Sequence, residues 1–244
     1  MKYLVIDTET NGVFDFKLPA DAEGQARLAH LAMIYLDEDG SEERRDDIYV
    51  RPNGWTMSAE ASAVNGLTDE FLIEEGFDVR YALNEYRLAV MAGRAIVAFH
   101  AQFDCKVMRG EFRRIGLPDL FEETNNICVM RPMVKLCGLK QEGSNRAKFP
   151  KLGEALAHFG HVQTDAHQAV SDAENAAVLF RLLKARDLLP EASVHYAKNK
   201  PEGTPGKAKA PKRATKKTAK SAPRLNAAGI PVGLTTPADI PDSF

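Results

Sequence analysis

The sequence predicts an α/β fold: a mixed sheet, first an antiparallel meander and then parallel strands, flanked by helices and followed by a disordered basic C-terminal tail. Three observations carry that expectation. Strand-like stretches crowd the first fifty residues, at 2–7, 27–37 and 47–51. From residue 68 onward, helical spacing alternates with short apolar runs, and strands followed by alternating helix and strand make a mixed sheet covered by helices. Past residue 189 the apolar pattern stops.

Each element has its own signal. Residues 2–7, Lys-Tyr-Leu-Val-Ile-Asp, are apolar and β-prone. Leu31, Met33 and Tyr35 fall in one phase of a second strand, and the acidic turn 37–40 leads toward the third. Residues 68–75 and 79–92 have helical spacing. The run Ala-Ile-Val-Ala-Phe at 95–99 reads as a buried strand. A helix follows from Asp104 to about residue 115, stopped by Gly116 with Pro118 beyond. Residues 126–130 suggest a further strand. A short helix at 151–159 ends before Gly160, and a long one covers about 170–187.

The 244 residues, 44% hydrophobic and 27% charged, suffice for one sizeable core with an appendage. No apolar run approaches the ~20 residues of a membrane span. Asp7 arrives too early for a signal peptide, so no membrane association is expected. Cys105, Cys128 and Cys137 are odd in number and lack Cys-x-x-Cys spacing. They read as reduced thiols of a cytoplasmic protein without a structural zinc. The net charge of −2 hides an asymmetry: residues 198–224 carry ten Lys or Arg against Glu202 alone, leaving 22 basic and 33 acidic residues elsewhere. That segment has no aromatic residue and too little apolar surface to order itself. The last twenty residues lose the lysines and end Ala-Asp-Ile-Pro-Asp-Ser-Phe.

Side chains alternate along a strand, so Asp7 and Glu9 share a face. Carboxylates that close repel unless a proton or cation lies between them. The Asn11-Gly12 turn signal places the pair at an open strand end, where a divalent cation could bind. Asp-x-Glu recurs at Asp21 and Asp172, so the pair alone also suits solvated acids. Asp104 follows the 95–99 run at a helix start, where an Asp is also an ordinary cap. His167 precedes Asp172 by five residues, so on one helix the two would sit about 140° apart. Acting together requires His167 in the loop before the helix and Asp172 in its first turns.

In this order, Ile-Asp-Thr-Glu-Thr-Asn-Gly (6–12), His-Ala-Gln-Phe-Asp (100–104) and His-Gln-Ala-Val-Ser-Asp (167–172) resemble the three motifs of the DnaQ-like 3′–5′ exonucleases, DEDDh branch, whose fold is RNase H-like. Residues 64–72 resemble a substrate-side segment of that family. The likeness covers residues 1 to about 188. Ala101 stands where the second motif usually has Asn, and Asn65 where a His is usual. Both departures touch substrate contacts and leave the ligand set intact. The resemblance implies that Asp7, Glu9, Asp104 and Asp172 hold two Mg²⁺ or Mn²⁺ ions, with Asp7 bridging them. It implies that His167 is the general base, a role that suits an imidazole near neutral pH. It also implies that the backbone of Thr10, Asn11 and Gly12 meets the terminal sugar and that Val13 wedges against the last base. Asn65 and His100 fall on the substrate side.

The organisation expected is therefore an exonuclease domain at 1–188, a basic disordered linker at 189–225, and a C-terminal peptide at 226–244 that could dock on a replication protein. The function implied is release of nucleoside monophosphates from DNA 3′ ends by two-metal hydrolysis, in proofreading or repair. The partner would be a nucleic acid with a free 3′ end, single-stranded DNA above all. A 3′–5′ exoribonuclease or oligoribonuclease on the same fold, and an inactive nucleic-acid-binding module, remain open alternatives.

Overall fold

The computed structural model describes residues 1–120, 123–164 and 168–194. Their elements run β1 (Tyr3–Thr10), β2 (Leu28–Leu36), β3 (Glu42–Tyr49), α1 (Ala59–Asn65), α2 (Asp69–Glu75), α3 (Val79–Met91), β4 (Ala95–Ala98), α4 (Ala101–Arg114), β5 (Asn126–Cys128), α5 (Met130–Cys137), α6 (Leu152–His158) and α7 (Ala169–Lys184). The five strands form one sheet in the order β3-β2-β1-β4-β5. The β1–β2 and β2–β3 pairs are antiparallel, and the β1–β4 and β4–β5 pairs are parallel. The mixed sheet is therefore as expected.

Two packed layers bury its faces. Leu4 and Ile6 of β1 join Ala82, Leu83 and Tyr86 of α3 and Met108 and Phe112 of α4 in one core. Val5, on the opposite face, joins Ala173, Ala176, Leu179 and Phe180 of α7 in the other. Full burial of a Leu or Phe side chain is worth ~1.5–3 kcal/mol, so these layers fix where α4 and α7 lie against β1. β2 is buried at all nine positions because it is covered on both faces. In the turn that follows, Gly40 takes φ 94° and its N–H bonds to the Asp37 carbonyl at 3.0 Å. That left-handed conformation favours glycine.

The structure corrects several boundaries. β3 begins at Glu42, not near residue 47, and is mostly exposed along Glu-Glu-Arg-Arg-Asp-Asp. It is the outer strand of the sheet, where charges protect an open edge and erase the apolar alternation. β1 continues to Thr10, so Asp7 and Glu9 lie within it. β5 is three residues long, and residues 130–137 turn into α5, with Pro132 in its first turn where no helical N–H is missed. α4 starts at Ala101, so Asp104 lies inside its first turn, with His100 as the cap residue. Beyond α7, Ser193 pairs with Asn126, so the described fold continues to residue 194. The rest of the expected linker and the terminal peptide lie outside the described residues. Among the described residues, no helix is long and apolar enough to cross a membrane.

A buried ion cluster ties α4 to the start of β2. Glu111 is 1% exposed and accepts from Arg27 Nε at 2.8 Å, Arg27 Nη2 at 3.0 Å, Arg114 Nη1 at 2.9 Å and the Leu28 N–H at 3.2 Å. Removing one partner of a buried pair leaves the others uncompensated, at a cost of ~3–5 kcal/mol. Glu111→Ala should therefore lower the melting temperature sharply, read by circular dichroism or calorimetry. A variant as stable as the parent would mean the cluster contributes nothing net.

Candidate metal centre

The end of β1, the first turn of α4 and the first turn of α7 converge at one edge of the sheet. Asp7 and Glu9 project from the β1 face covered by α7. Asp172 is the fourth residue of α7. One carboxylate oxygen from each of Asp7, Glu9 and Asp172 lies within 4.8 Å of the others. Asp104 approaches from the α4 side, 3% exposed, and its Oδ1 accepts from the Thr8 N–H at 3.1 Å and the Thr8 hydroxyl at 2.9 Å. The Gln163 amide donates to Asp172 Oδ1 at 2.8 Å.

The electrostatics are those of crowded acids. Burial raises Asp7 well above the usual carboxylate range, and Asp104, Glu9 and Asp172 push it further. Glu9 is pushed up to about 7, mainly by burial and then by Asp172 and Asp104, against an opposing hydrogen bond from Asn65. Burial also takes Asp104 to about 7 although the Thr8 bonds favour its charged form. A set of hard carboxylate oxygens that disfavours its own ionisation suits a divalent cation such as Mg²⁺ or Mn²⁺, so these residues fit the expected ions.

The pH dependence of stability follows from the sign of these shifts. Glu9 and Asp104 have folded pKa values raised to about 7, above the ordinary carboxylate values they have when unfolded. The stability that protonation contributes is fully present below those unfolded values and is lost as pH rises through about 7. The metal-free chain should therefore melt at progressively lower temperature between about pH 4 and pH 7–8. Mg²⁺ should raise the melting temperature more at pH 8 than at pH 5, because it binds the ionised carboxylates. Glu9→Gln should flatten the metal-free slope. A melting temperature independent of pH over this range in EDTA would show that the carboxylates are not destabilised as described.

The other expected residues are placed as follows. Thr10 donates its hydroxyl to the Gly12 carbonyl at 2.8 Å. Asn11 acts as a pin: its N–H bonds to the Arg27 carbonyl, its Oδ1 takes the Arg27 N–H, its Nδ2 reaches the Thr56 carbonyl, and its own carbonyl takes the Ser58 N–H. These bonds commit Asn11 within the protein. A Cβ on Gly12 would meet nothing within 4 Å, and Val13 is 91% exposed beside it. Asn65 donates to the Thr10 carbonyl at 3.3 Å. His100 is half-buried, with Phe103 and Phe16 near its ring, and burial lowers its pKa. His167 lies outside the described residues.

Sequence reasoning missed the supporting residues. Thr8 was visible only as the middle of Asp-Thr-Glu, and Gln163 carried no signal at all. Asn175 was findable: a buried amide amid Ala and Leu in α7, donating to the Thr164 carbonyl at 3.0 Å.

The family model described as "Exonuclease", of the RNase T type, matches residues 4–180. The chain belongs to this exonuclease family. The DnaQ-like resemblance of the three motifs agrees with that membership. No curated protein matches the chain. Among solved structures, the exonuclease is similar in fold to E. coli exonuclease I in its zinc-bound complex with single-stranded DNA, at 21% identity and TM-score 0.62, covering 76% of this chain and 40% of that one. It is similar to the same protein in complex with a dA16 oligonucleotide, at 21% identity and TM-score 0.61, covering 76% and 41%. Exonuclease I from Methylocaldum szegediense matches at 19% identity and TM-score 0.59, covering 76% and 40%. The chain thus spans about 40% of the length of these proteins.

Proposed function

We propose that this chain is a metal-dependent 3′–5′ exonuclease that releases nucleoside monophosphates from DNA 3′ ends, a reaction suited to proofreading or repair. The observation that supports it most is the convergence of Asp7, Glu9 and Asp172 beside Asp104 in a member of the exonuclease family. These four carboxylates would hold two Mg²⁺ or Mn²⁺ ions. When bound, the ions would supply a hydroxide near neutral pH and offset the charge growing on the phosphate and the leaving oxygen. Thr8 keeps the Asp104 carboxylate in one orientation, and Gln163 does the same for Asp172. Gly12 leaves open space for the terminal sugar, and the bare Val13 side chain offers an apolar wedge for the last base. His167 accepts the proton of the attacking water at an imidazole nitrogen.

DNA is favoured over RNA because the similar proteins above were solved with DNA oligonucleotides. We assign catalysis to residues 1–188. The ten cations of 198–224 act as a tether that raises the local concentration of nucleic acid, and the last residues act as a docking peptide. The test is digestion of 5′-labelled single-stranded DNA, duplex DNA and RNA, with Mg²⁺ and with EDTA. Stepwise shortening of single-stranded DNA from its 3′ end, only with Mg²⁺, is the expected result. Faster shortening of RNA would transfer the assignment to an exoribonuclease, and no shortening of any substrate would overturn it.

A further inference from the structure

The carboxylate cluster lies at the C-terminal end of β1, and the parallel strands β4 and β5 end on the same edge of the sheet. Ligands of open α/β sheets bind at that edge. Immediately beyond β4 and β5 lies a cleft of about 690 Å³, lined by His100, Gln102, Met130, Arg131, Val134 and Phe149. Its position is fixed by α4, because His100 caps the helix that carries Asp104 one turn later.

A basic stretch of chain flanks this cleft. Residues 130–151 carry six Lys or Arg (131, 135, 140, 146, 148 and 151) against a single acid, Glu142. The rest of residues 1–197 carries 16 basic and 30 acidic residues. Residues 139–148 close a short hairpin through the Lys140–Ala147 bridge, with the Gln141 N–H bonded to the Arg146 carbonyl at 2.9 Å. Arg131, Lys140 and Arg146 have no acidic partner among the described residues. Lys148 alone of this hairpin is paired, with Glu154 at 2.6 Å. Phe149 lines the cleft and is 61% exposed, so much of its aromatic face is open. The cleft on the other side of Val13 is different. Its arginines 27 and 114 are already committed to buried Glu111, and Asp21 and Glu23 line it.

We infer that α5 and the 139–148 hairpin form a binding track for the single strand upstream of the bond to be cut, with Phe149 stacking a base and Arg131 contacting a phosphate. This rests on the exonuclease reading above. An aromatic face beside unpaired cations is the chemistry of sequence-tolerant single-strand binding. The acidic remainder of the body repels a polyanion, so the strand is confined to this side. Single-stranded nucleic acid a few nucleotides longer than the cleaved end is the ligand.

The test compares a thymidylate 12-mer with the dinucleotide, using the full chain and Mg²⁺. Phe149→Ala should raise KM for the 12-mer about tenfold, the usual worth of one stacked base. It should leave the ratio of kcat to KM on the dinucleotide near that of the parent. Arg131→Gln should lower the slope of log KM against log salt on the 12-mer by about 0.7, one phosphate contact on a single strand. Both positions are exposed, and unchanged melting temperatures confirm that folding is intact. If the parent degrades both substrates and the variants shift both alike, or neither, the track is wrong and the exonuclease reading stands. If the parent degrades neither substrate, the exonuclease reading fails and the track fails with it.

Discussion

Asp7→Ala abolishes hydrolysis while the metal-free protein stays folded, and melts at the same or a higher temperature than the parent near pH 8. The expectation comes from the crowding of acids at this position. Asp7 is pushed up by burial and by three neighbouring carboxylates, so in the absence of cations its ionised form destabilises the fold. Removing it relieves that repulsion and at the same time removes the carboxylate at the centre of the ion-binding set. A structural acid would behave in the opposite way, with stability falling and activity per folded molecule preserved. Activity assays and melting curves on one preparation separate the two. Appreciable nuclease activity in pure Asp7→Ala protein would sink the two-ion assignment.

His167→Ala lowers kcat by about 10²–10⁴-fold, the usual worth of a positioned general base. Metal affinity should hardly change, because carboxylates hold the ions. At saturating Mg²⁺ the pH–rate profile should lose the part of its lower limb that belongs to the imidazole, since none remains to be deprotonated. The alternative is a histidine that merely packs. Its truncation would lower the melting temperature and leave the rate per folded molecule intact. Measuring kcat, metal affinity and melting temperature on this variant decides between them. A destabilised protein with normal turnover would remove His167 from the mechanism.

How much of this was legible before the structure depended on which physics each residue obeys. Asp7 and Glu9 were readable because strand alternation alone puts them on one face, and the register of β1 keeps them there. The 95–99 run was readable because a strand buried on both faces has nowhere to hide polar residues. The edge strand β3 was misplaced because its Glu-Glu-Arg-Arg-Asp-Asp segment carries no burial pattern to read. α5 was not read from the sequence, and its first residue was taken into the preceding strand because Ile127 and Cys128 run straight into Met130 with no breaker between them. Thr8 and Gln163 were not legible at all. Their roles are contacts across 96 and nine residues, set by packing that no local pattern encodes. The same holds for the cations of 130–151, whose count was in the sequence but whose place along the cleft that Arg131 lines was not.

The central claim is that Asp7, Glu9, Asp104 and Asp172 hold the ions on which hydrolysis depends. Electron paramagnetic resonance of Mn²⁺, titrated into the metal-free full chain with a nucleoside monophosphate present, tests it most directly. The expected result is saturable binding of two ions per chain at pH 8, weakened at pH 5 where Glu9 and Asp104 carry protons, and lost in Asp7→Asn. An absence of saturable binding, or an Asp7→Asn protein that binds Mn²⁺ as the parent does, would contradict it.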